Sequence, residues 1–268
     1  MKKDIIDIIY QDNDIIVINK PVGVSVTKDR TGSPNILELL EKQLGVNEPL
    51  RLVHRLDKQT SGVMMVTRNI DCQRNISELF AKHLVSKVYL ALIDGYVPDV
   101  TGRVKMPIGS SKEQGKMRID PRHGKPAETY WQLLGDFGNL SLLAVRPITG
   151  RTHQIRVHLT SRGMPLAIDP LYASTKPIML SDHKRGYRPV SGDEERPLID
   201  RMTLHAYQLD LPPEAGLKAC HFAAALDKKF LAVIKMLAKH CPKRARSFLN
   251  PEHLEMLINN KPLTGLDI

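Results

Sequence analysis

The sequence predicts an α+β fold with a largely antiparallel central mixed sheet flanked by helices and loops. Apolar runs separated by polar turns indicate hairpins, amphipathic helices are scattered between them, and the strand–helix alternation of a doubly wound sheet is missing. Of the 268 residues, 42% are hydrophobic and 25% are charged, as in an ordinary folded protein. A chain of this size and composition is expected to form a hydrophobic core without a disulfide or a metal ion.

The first predicted elements are a hairpin and a helix. Apolar runs over 5–10 and 15–19 flank a polar turn, and glycine and proline follow the second run. Ser33 and Pro34 predict a helix N-cap followed by proline at the first helical position. The helix is expected to end at Gly45, after apolar residues at helical spacing: Ile36, Leu37, Leu40 and Leu44.

The later elements follow from the same two periodicities. Four apolar residues at helical spacing predict a second amphipathic helix: Ile76, Leu79, Phe80 and Leu84. The remaining predicted elements are strands at 62–67, 88–97, 129–134 and 140–145, a hairpin over 204–222, and helices near 230–238 and 252–258.

The stretch 152–162 fits two interpretations. Ile155, Val157 and Leu159 alternate with polar residues as in a strand. However, Thr152 ahead of the stretch is a helix start signal, and glycine and proline behind it are stop signals. We therefore predict a helix here.

The charge of the chain indicates a polyanionic partner. There are 39 Lys and Arg against 29 Asp and Glu, a formal net charge of +10. Such a surface displaces counterions from phosphates, although it could also serve solubility alone. Two loop-like basic segments are candidate phosphate contacts or ordinary solvated surface: Lys112, Lys116, Arg118, Arg122 and Lys125, and Lys239, Lys243, Arg244 and Arg246.

Several classes of protein are excluded by the sequence. The three cysteines are far apart and form no CxxC pair, which argues against a disulfide framework and a zinc module. Aspartates interrupt the apolar N-terminal stretch, so no signal-peptide core forms, and no apolar run reaches the ~18–20 residues of a membrane span. We expect a cytoplasmic protein with no membrane partner.

The segment 51–62 is a polar cluster just before an apolar strand. Gly62 permits a tight turn or a close backbone approach, which places Asp57 on a loop held by the sheet. A carboxylate there can be a nucleophile, a general base or a metal ligand. A structural role, in which Asp57 accepts backbone hydrogen bonds, is equally compatible with the sequence.

A second polar segment covers 149–158. If it opens a helix, Arg151 and Arg156 lie near a positive dipole end, where arginine can also hold a carboxylate with two hydrogen bonds. His153 and His158 are five residues apart and outside an HExxH frame. Zinc binding is therefore not predicted.

These two segments resemble a known family. His54-Arg55-Leu56-Asp57-Lys58-Gln59-Thr60-Ser61-Gly62 resembles the HRLDxxTSG signature of the RluA-type pseudouridine synthases, and 150–158 resembles their GRTHQIRVH signature. Lys87 to Gly95 is similar to the family's basic-x-Tyr-x-Ala strand, and Leu204-His205-Ala206 to a late LHA element. The order of the motifs also agrees.

The resemblance implies conversion of uridine in RNA to pseudouridine, without a cofactor or a metal. Asp57 matches the essential aspartate, which attacks C1′ of the sugar or C6 of the base or abstracts a sugar proton. Tyr89 matches the tyrosine that packs on the uracil ring. Arg156 matches the arginine paired with Asp57, and Arg151 is expected to be a neighbour of the site.

The predicted substrate contacts surround this catalytic set. A stacked uracil must be flipped out to be reached, and Arg55 could replace the departed base or contact a phosphate. His54 and Thr60 belong to the same motif. Leu204 could form an apolar wall for the base or be an ordinary core residue.

The resemblance also predicts the organisation of the chain. Residues 1–238 are expected to form the catalytic domain, with no N-terminal S4 domain, and 239–268 a basic, helical extension. The stretch 167–172 departs from the family pattern, where many relatives have Gly-Asp after the arginine helix. The expected partner of a monomeric enzyme is rRNA or tRNA, and not DNA.

Two other functions are compatible with parts of the sequence. An RNA-binding or ribosome-assembly factor could keep the same fold with dispensable catalysis. However, binding alone does not require Asp57, Tyr89 and Arg156 together, so their presence argues against this function. An N-glycosidase would need to deliver water, and the paired carboxylates typical of sugar glycosidases are not evident near Asp57.

Overall fold

The computed structural model describes residues 6–28, 32–46, 48–184, 186–187, 194–242 and 245–268. Residue 5 of the predicted hairpin and two residues of the basic tail, Lys243 and Arg244, lie outside this part of the chain. The chain divides into two compact units. Unit 1 comprises Met1–Val88 and His205–Ala225, and unit 2 comprises Tyr89–Leu204 and Leu226–Ile268.

The described residues form the predicted strands and helices in the predicted order, together with five short strands that were not predicted, at 51–52, 101–105, 108–110, 117–119 and 247–248. The strands are β1 (Asp7–Gln11), β2 (Ile15–Lys20), β3 (Arg51–Leu52), β4 (Ser61–Thr67), β5 (Ser86–Asp94), β6 (Thr101–Lys105), β7 (Ile108–Ser110), β8 (Met117–Ile119), β9 (Glu128–Asp136), β10 (Leu140–Pro147), β11 (Leu204–Asp210), β12 (His221–Ala223) and β13 (Ser247–Phe248). The helices are α1 (Ile36–Leu44), α2 (Ile70–Ala81), α3 (Gln154–Ser161), α4 (Lys228–Lys239) and α5 (Pro251–Ile258), and Pro213–Ala215 is a 3-10 helix.

Unit 1 contains a mixed sheet. β2 pairs antiparallel with both β1 and β4, and β3 also pairs antiparallel with β4. β11 runs parallel to β4, with His205 opposite Ser61 and Ala206 opposite Gly62, and β12 forms the predicted late hairpin with β11. Every residue of β4 is buried, as expected of an apolar strand covered on both faces. The Asp57 motif ends in this buried strand.

Unit 2 is built on antiparallel strands. β10 pairs with β5 and β9, and β9 also pairs with β6 and β13. Helix α3 contributes Ile155 and Leu159 to one core cluster and Val157 to another, so it is buried on two sides. Both units therefore support the predicted α+β class. The division at residue 238 stays a prediction.

Three details of the predicted helices were wrong. Helix α1 is capped by Asn35, not Ser33, because Asn35 and Glu38 form a capping box in which each side chain accepts a hydrogen bond from the other's backbone N–H. Helix α2 ends at Ala81, before the left-handed His83, and leaves Leu84 half exposed. Helix α3 begins at Gln154 rather than at Thr152.

Candidate active site

Asp57 lies in the turn between β3 and β4 of unit 1. The backbone N–H of Thr60 donates to the carbonyl of Asp57 at 3.1 Å, and that of Gly23 donates to the carbonyl of Lys58 at 2.8 Å. Thr60 is buried, Asp57 is half-buried and Arg55 is exposed. The turn is therefore held through its backbone while part of the Asp57 side chain reaches the surface.

A buried lysine lies close to this turn. The Nζ of Lys20 donates to the carbonyls of Pro21 at 2.9 Å, Val24 at 2.8 Å and Lys58 at 3.3 Å, and its side chain is fully buried. Burial lowers the pKa of Lys20 to about 8, and the nearby Asp57 carboxylate acts in the opposite direction. Sequence analysis missed this residue, whose only signal is a lysine at the end of an apolar strand.

Gly62 allows two backbones to approach each other beside the Asp57 turn. Its φ is 118°, and a Cβ at this position would lie 2.0 Å from the carbonyl oxygen of Ala206. The neighbouring pair, Ser61 and His205, forms a hydrogen bond of 2.9 Å, and His205 also bonds the carbonyl of Ala224. The predicted close approach at Gly62 is confirmed, and it fixes the start of β4 against β11.

His54 contacts other residues of unit 1. Its Nε2 accepts the backbone N–H of Met65 at 2.9 Å, and its ring stacks on Phe80 with centroids 4.7 Å apart. Burial, with a smaller contribution from Lys87, lowers the pKa of His54 to about 3. The imidazole is therefore neutral at physiological pH and supports the strand after the Asp57 turn. Its contact with substrate stays a prediction.

Arg156 of unit 2 is held by a carboxylate that sequence analysis did not select. Its Nε and Nη2 donate to the two carboxylate oxygens of Asp169, each at 2.7 Å, and the two side chains are 4% and 1% exposed. The guanidinium also lies over the ring of Tyr172 at 4.9 Å. Two of five N–H donors are thus used by Asp169. The signal for Asp169 was its place in the stretch 167–172, where many relatives have Gly-Asp.

The loop before α3 is organised by Gln154. The Gln154 side chain accepts from the Thr149 hydroxyl and the backbone N–H of Arg151, and it donates to the carbonyl of Glu128. The Nε of Arg151 donates to the carbonyl of Pro126 at 3.0 Å. Arg151 is therefore held against the segment before β9, five residues before Arg156.

Tyr89 and Leu204 share one apolar cluster of unit 2. Tyr89 stands on β5 opposite Val145 of β10, and it is half-buried against this cluster. Leu204 is only 3% exposed within it. The ring of Tyr89 thus keeps an accessible part, whereas Leu204 has little surface to offer a base. The roles of both residues toward substrate stay predictions.

The eight predicted site residues are divided equally between the units. Unit 1 brings four of them into one turn: His54, Arg55, Asp57 and Thr60. Unit 2 holds the other four: Tyr89, Arg151, Arg156 and Leu204. Among the residues that the structure describes, no group of three or more histidines, cysteines and acids is placed to hold a metal ion, and no helix could cross a membrane.

Comparison with known proteins decides the family. The family model described as RNA pseudouridylate synthase matches residues 14–161, more than half of the chain, including Asp57, Tyr89 and Arg156. The chain belongs to this family. It is an RNA pseudouridine synthase, an isomerase whose substrate is RNA, and the predicted family, fold class and activity are confirmed.

Individual relatives of this RNA pseudouridine synthase cover most of its length. Ribosomal large subunit pseudouridine synthase C of Buchnera aphidicola is 32% identical over 233 residues, 86% of this chain and 70% of that protein. Ribosomal large subunit pseudouridine synthase D of Borreliella burgdorferi is 37% identical over 192 residues, 66% of this chain and 59% of that protein. The solved structure of human RNA pseudouridylate synthase domain containing 1 is similar with a TM-score of 0.67 and 26% identity, covering 98% of both chains.

Proposed function

We propose that this pseudouridine synthase acts on ribosomal RNA and that Asp57 is its catalytic carboxylate. The observation that carries the assignment is the half-buried Asp57 on a turn whose backbone is fixed by Thr60, Gly23 and the buried Lys20. A catalytic group must be held in position while its reacting atoms stay reachable. The ribosomal substrate is supported by the names of the relatives from Buchnera aphidicola and Borreliella burgdorferi.

The reaction is an internal exchange of bonds. The N1–C1′ glycosidic bond breaks, the uracil turns, and C5 bonds to C1′. C5 then loses its proton and N1 gains one, so no oxidant, reductant or water is consumed. Asp57 attacks C1′ of the sugar or C6 of the base, or abstracts a sugar proton, and each route requires its carboxylate form.

Tyr89 and Arg156 complete the proposed catalytic set. The accessible part of the Tyr89 ring offers a flat apolar face to the uracil. The proposed role of Arg156 is the one that the family resemblance implies, pairing with the catalytic carboxylate, and its own position is fixed by Asp169. Because Asp169 keeps the guanidinium fixed, little reorganisation is needed when substrate binds.

The substrate uridine is proposed to be flipped from a stem, with Arg55 in the space it leaves. Arg55 is exposed beside Asp57, and a planar cation can stack between bases or meet a phosphate. His54 and Thr60 support the turn within unit 1, and Arg151 is a proposed substrate contact. We place the enzyme in the cytoplasm, as a monomer without a DNA or membrane partner.

The decisive experiment replaces Asp57. Asp57→Asn keeps the shape of the side chain but removes its charge, and pseudouridine formation on ribosomal RNA is expected to fall to background while RNA binding and thermal unfolding stay close to wild type. The matched control is Asp71→Asn, because Asp71 is an exposed aspartate of the same unit. Full activity of Asp57→Asn would overturn the assignment.

Two further measurements identify the substrate and test the alternative function. Chemical mapping of pseudouridines in cellular RNA, with and without the gene, should reveal lost sites in ribosomal RNA. Sites lost only in tRNA would contradict the proposed substrate. Rescue of a deletion phenotype by Asp57→Asn would instead favour a ribosome-assembly role in which catalysis is dispensable.

A further inference from the structure

Tyr172 of unit 2 makes three contacts with two different parts of that unit. Its hydroxyl accepts the backbone N–H of Met117 at 2.7 Å and bonds the Nδ1 of His153 at 2.8 Å. Its ring lies under the guanidinium of Arg156, 4.9 Å from the centroid. The hydroxyl and the ring of one side chain therefore hold different partners.

Met117 belongs to the basic hairpin, defined here as residues 108–126 with strands β7 and β8. Between Gly109 and Pro126 this segment contains five basic and two acidic residues. The two acids are already engaged, since Glu113 pairs with Lys116 and Asp120 pairs with Arg118. The hairpin thus presents a net positive surface suited to RNA phosphates.

The other partners of Tyr172 lie on the helix that carries Arg156. His153 is the N-cap of α3, and its φ of 55° is in the left-handed region that a side chain disfavours. The Tyr172 hydroxyl contacts only the side chain of this residue, whose backbone carbonyl is bound separately by the N–H of Val157 at 2.9 Å, so the start of α3 does not depend on the hydroxyl. The Tyr172 backbone is itself held, because its N–H donates to the Asp169 carboxylate that binds Arg156.

We infer that Tyr172 is a positioning residue with two separable roles: its hydroxyl sets the orientation of the basic hairpin toward RNA phosphates, and its ring sets the orientation of the Arg156 guanidinium. The inference deepens the proposed function and rests on it. RNA bound along the hairpin is then held in register with the arginine, because both are fixed to the same side chain.

Two variants of Tyr172 separate these roles. Tyr172→Phe keeps the ring and removes the hydroxyl, so KM for RNA should rise about three- to tenfold with kcat changed less than about twofold. Tyr172→Leu removes both groups, so the same rise in KM should be joined by a fall in kcat of about 10- to 30-fold. The matched control is Tyr96→Phe, at an exposed tyrosine of unit 2, which should leave both parameters unchanged.

A double-mutant cycle tests whether the Tyr172 hydroxyl affects RNA binding by orienting the basic hairpin. Arg122→Ala removes one exposed charge of the hairpin and should also raise KM. If the Tyr172 hydroxyl acts by orienting the hairpin, the effects of Arg122→Ala and Tyr172→Phe on KM are less than multiplicative. The Tyr172→Phe enzyme should also lose RNA affinity less steeply as salt increases, since fewer phosphates are contacted.

Several results would overturn the inference. They are equal losses of kcat in Tyr172→Phe and Tyr172→Leu, unchanged KM in Tyr172→Phe, or multiplicative effects in the cycle. Tyr172→Met replaces Tyr172→Leu if the latter does not fold, as judged by thermal unfolding. These variants are measured after wild type has been shown to form pseudouridine and Asp57→Asn has been shown not to form it. Failure of the proposed function is then recognised separately from failure of this inference.

Discussion

Each unit buries a cation: Lys20 lies close to the predicted catalytic residue Asp57, and Arg156 is itself a predicted catalytic residue. The two cations are stabilised in different ways. Lys20 in unit 1 donates to three backbone carbonyls, whereas Arg156 in unit 2 donates to the carboxylate of Asp169. Carbonyl dipoles compensate a buried charge less than a full carboxylate does. Lysine can respond by losing its proton, but arginine cannot. The charge in unit 1 is therefore sensitive to pH and that in unit 2 is permanent.

The largest expected effect follows from breaking the ion pair of unit 2. Asp169→Ala leaves Arg156 charged and buried without its carboxylate, which should lower the free energy of unfolding by about 3–5 kcal/mol. Pseudouridine formation should fall as well, because the guanidinium loses its fixed position. Denaturant unfolding and kcat measure the two effects.

A surface ion pair of the same unit is the control. Asp182 pairs with Lys176 at 3.6 Å, and the two side chains are 39% and 73% exposed. Asp182→Ala should change stability by less than about 0.5 kcal/mol. Equal effects of the two substitutions would mean that burial does not distinguish the pairs.

The stability of unit 1 near the Asp57 turn should instead be most sensitive to substitutions that disturb the backbone. Gly62→Ala combines a left-handed φ with a Cβ placed 2.0 Å from the Ala206 carbonyl oxygen. Separation of β4 from β11 should lower the free energy of unfolding by about 2–4 kcal/mol and displace the Asp57 turn. Gly23→Ala is the control, because Gly23 also has a positive φ of 83° but no atom within 4 Å of the added Cβ. It should cost about 1 kcal/mol.

The smallest effect concerns the pH dependence of stability. The folded protein releases the Lys20 proton near pH 8, whereas an unfolded lysine keeps it to about pH 10.4. The unfolded state binds more protons between these values, so this residue makes stability rise as pH increases, by up to about 1.4 kcal/mol per pH unit. Lys20→Met should remove that contribution. Lys87, whose pKa burial also lowers to about 8, contributes a similar slope that Lys20→Met leaves in place.

Urea unfolding of wild type and Lys20→Met between pH 7 and pH 10.5 measures this difference. Lys28→Met, at an exposed lysine of the same unit, should retain the wild-type slope. A Lys20→Met slope equal to that of wild type would show that Lys20 is not a titrating buried charge.

Local patterns predicted the elements of the fold better than their ends. Helix α3 was predicted correctly although Ile155, Val157 and Leu159 alternate as in a strand. The alternation has a physical reason, since α3 is buried on two sides and needs apolar residues facing both. The cap of α1 was placed at Ser33 because Ser-Pro and Asn35 with Glu38 are competing start signals in neighbouring positions.

The motif residues of the site could be selected from the sequence, but the residues that hold them in position could not. Asp57 lies on the expected turn, and its partner Lys20 acts through backbone carbonyls, which any sequence supplies. Asp169 lies 13 residues from Arg156, beyond the range of helical or hairpin spacing. Lys20 was signalled only by a charge at the end of an apolar stretch, and Asp169 only by its place in the stretch 167–172, where many relatives have Gly-Asp.

The parallel pairing of β4 with β11 has a consequence for synthesis of the chain. Ser61 and Gly62 cannot form their strand pairing until the ribosome has added His205 and Ala206, which follow most of unit 2. A nascent chain that has reached Val88 already carries Asp57 but lacks the strand that closes its sheet. Such a long-range contact forms late and slowly. The order of translation thus delays the pairing of β4 with β11 behind the Asp57 turn until Ala206 has left the exit tunnel.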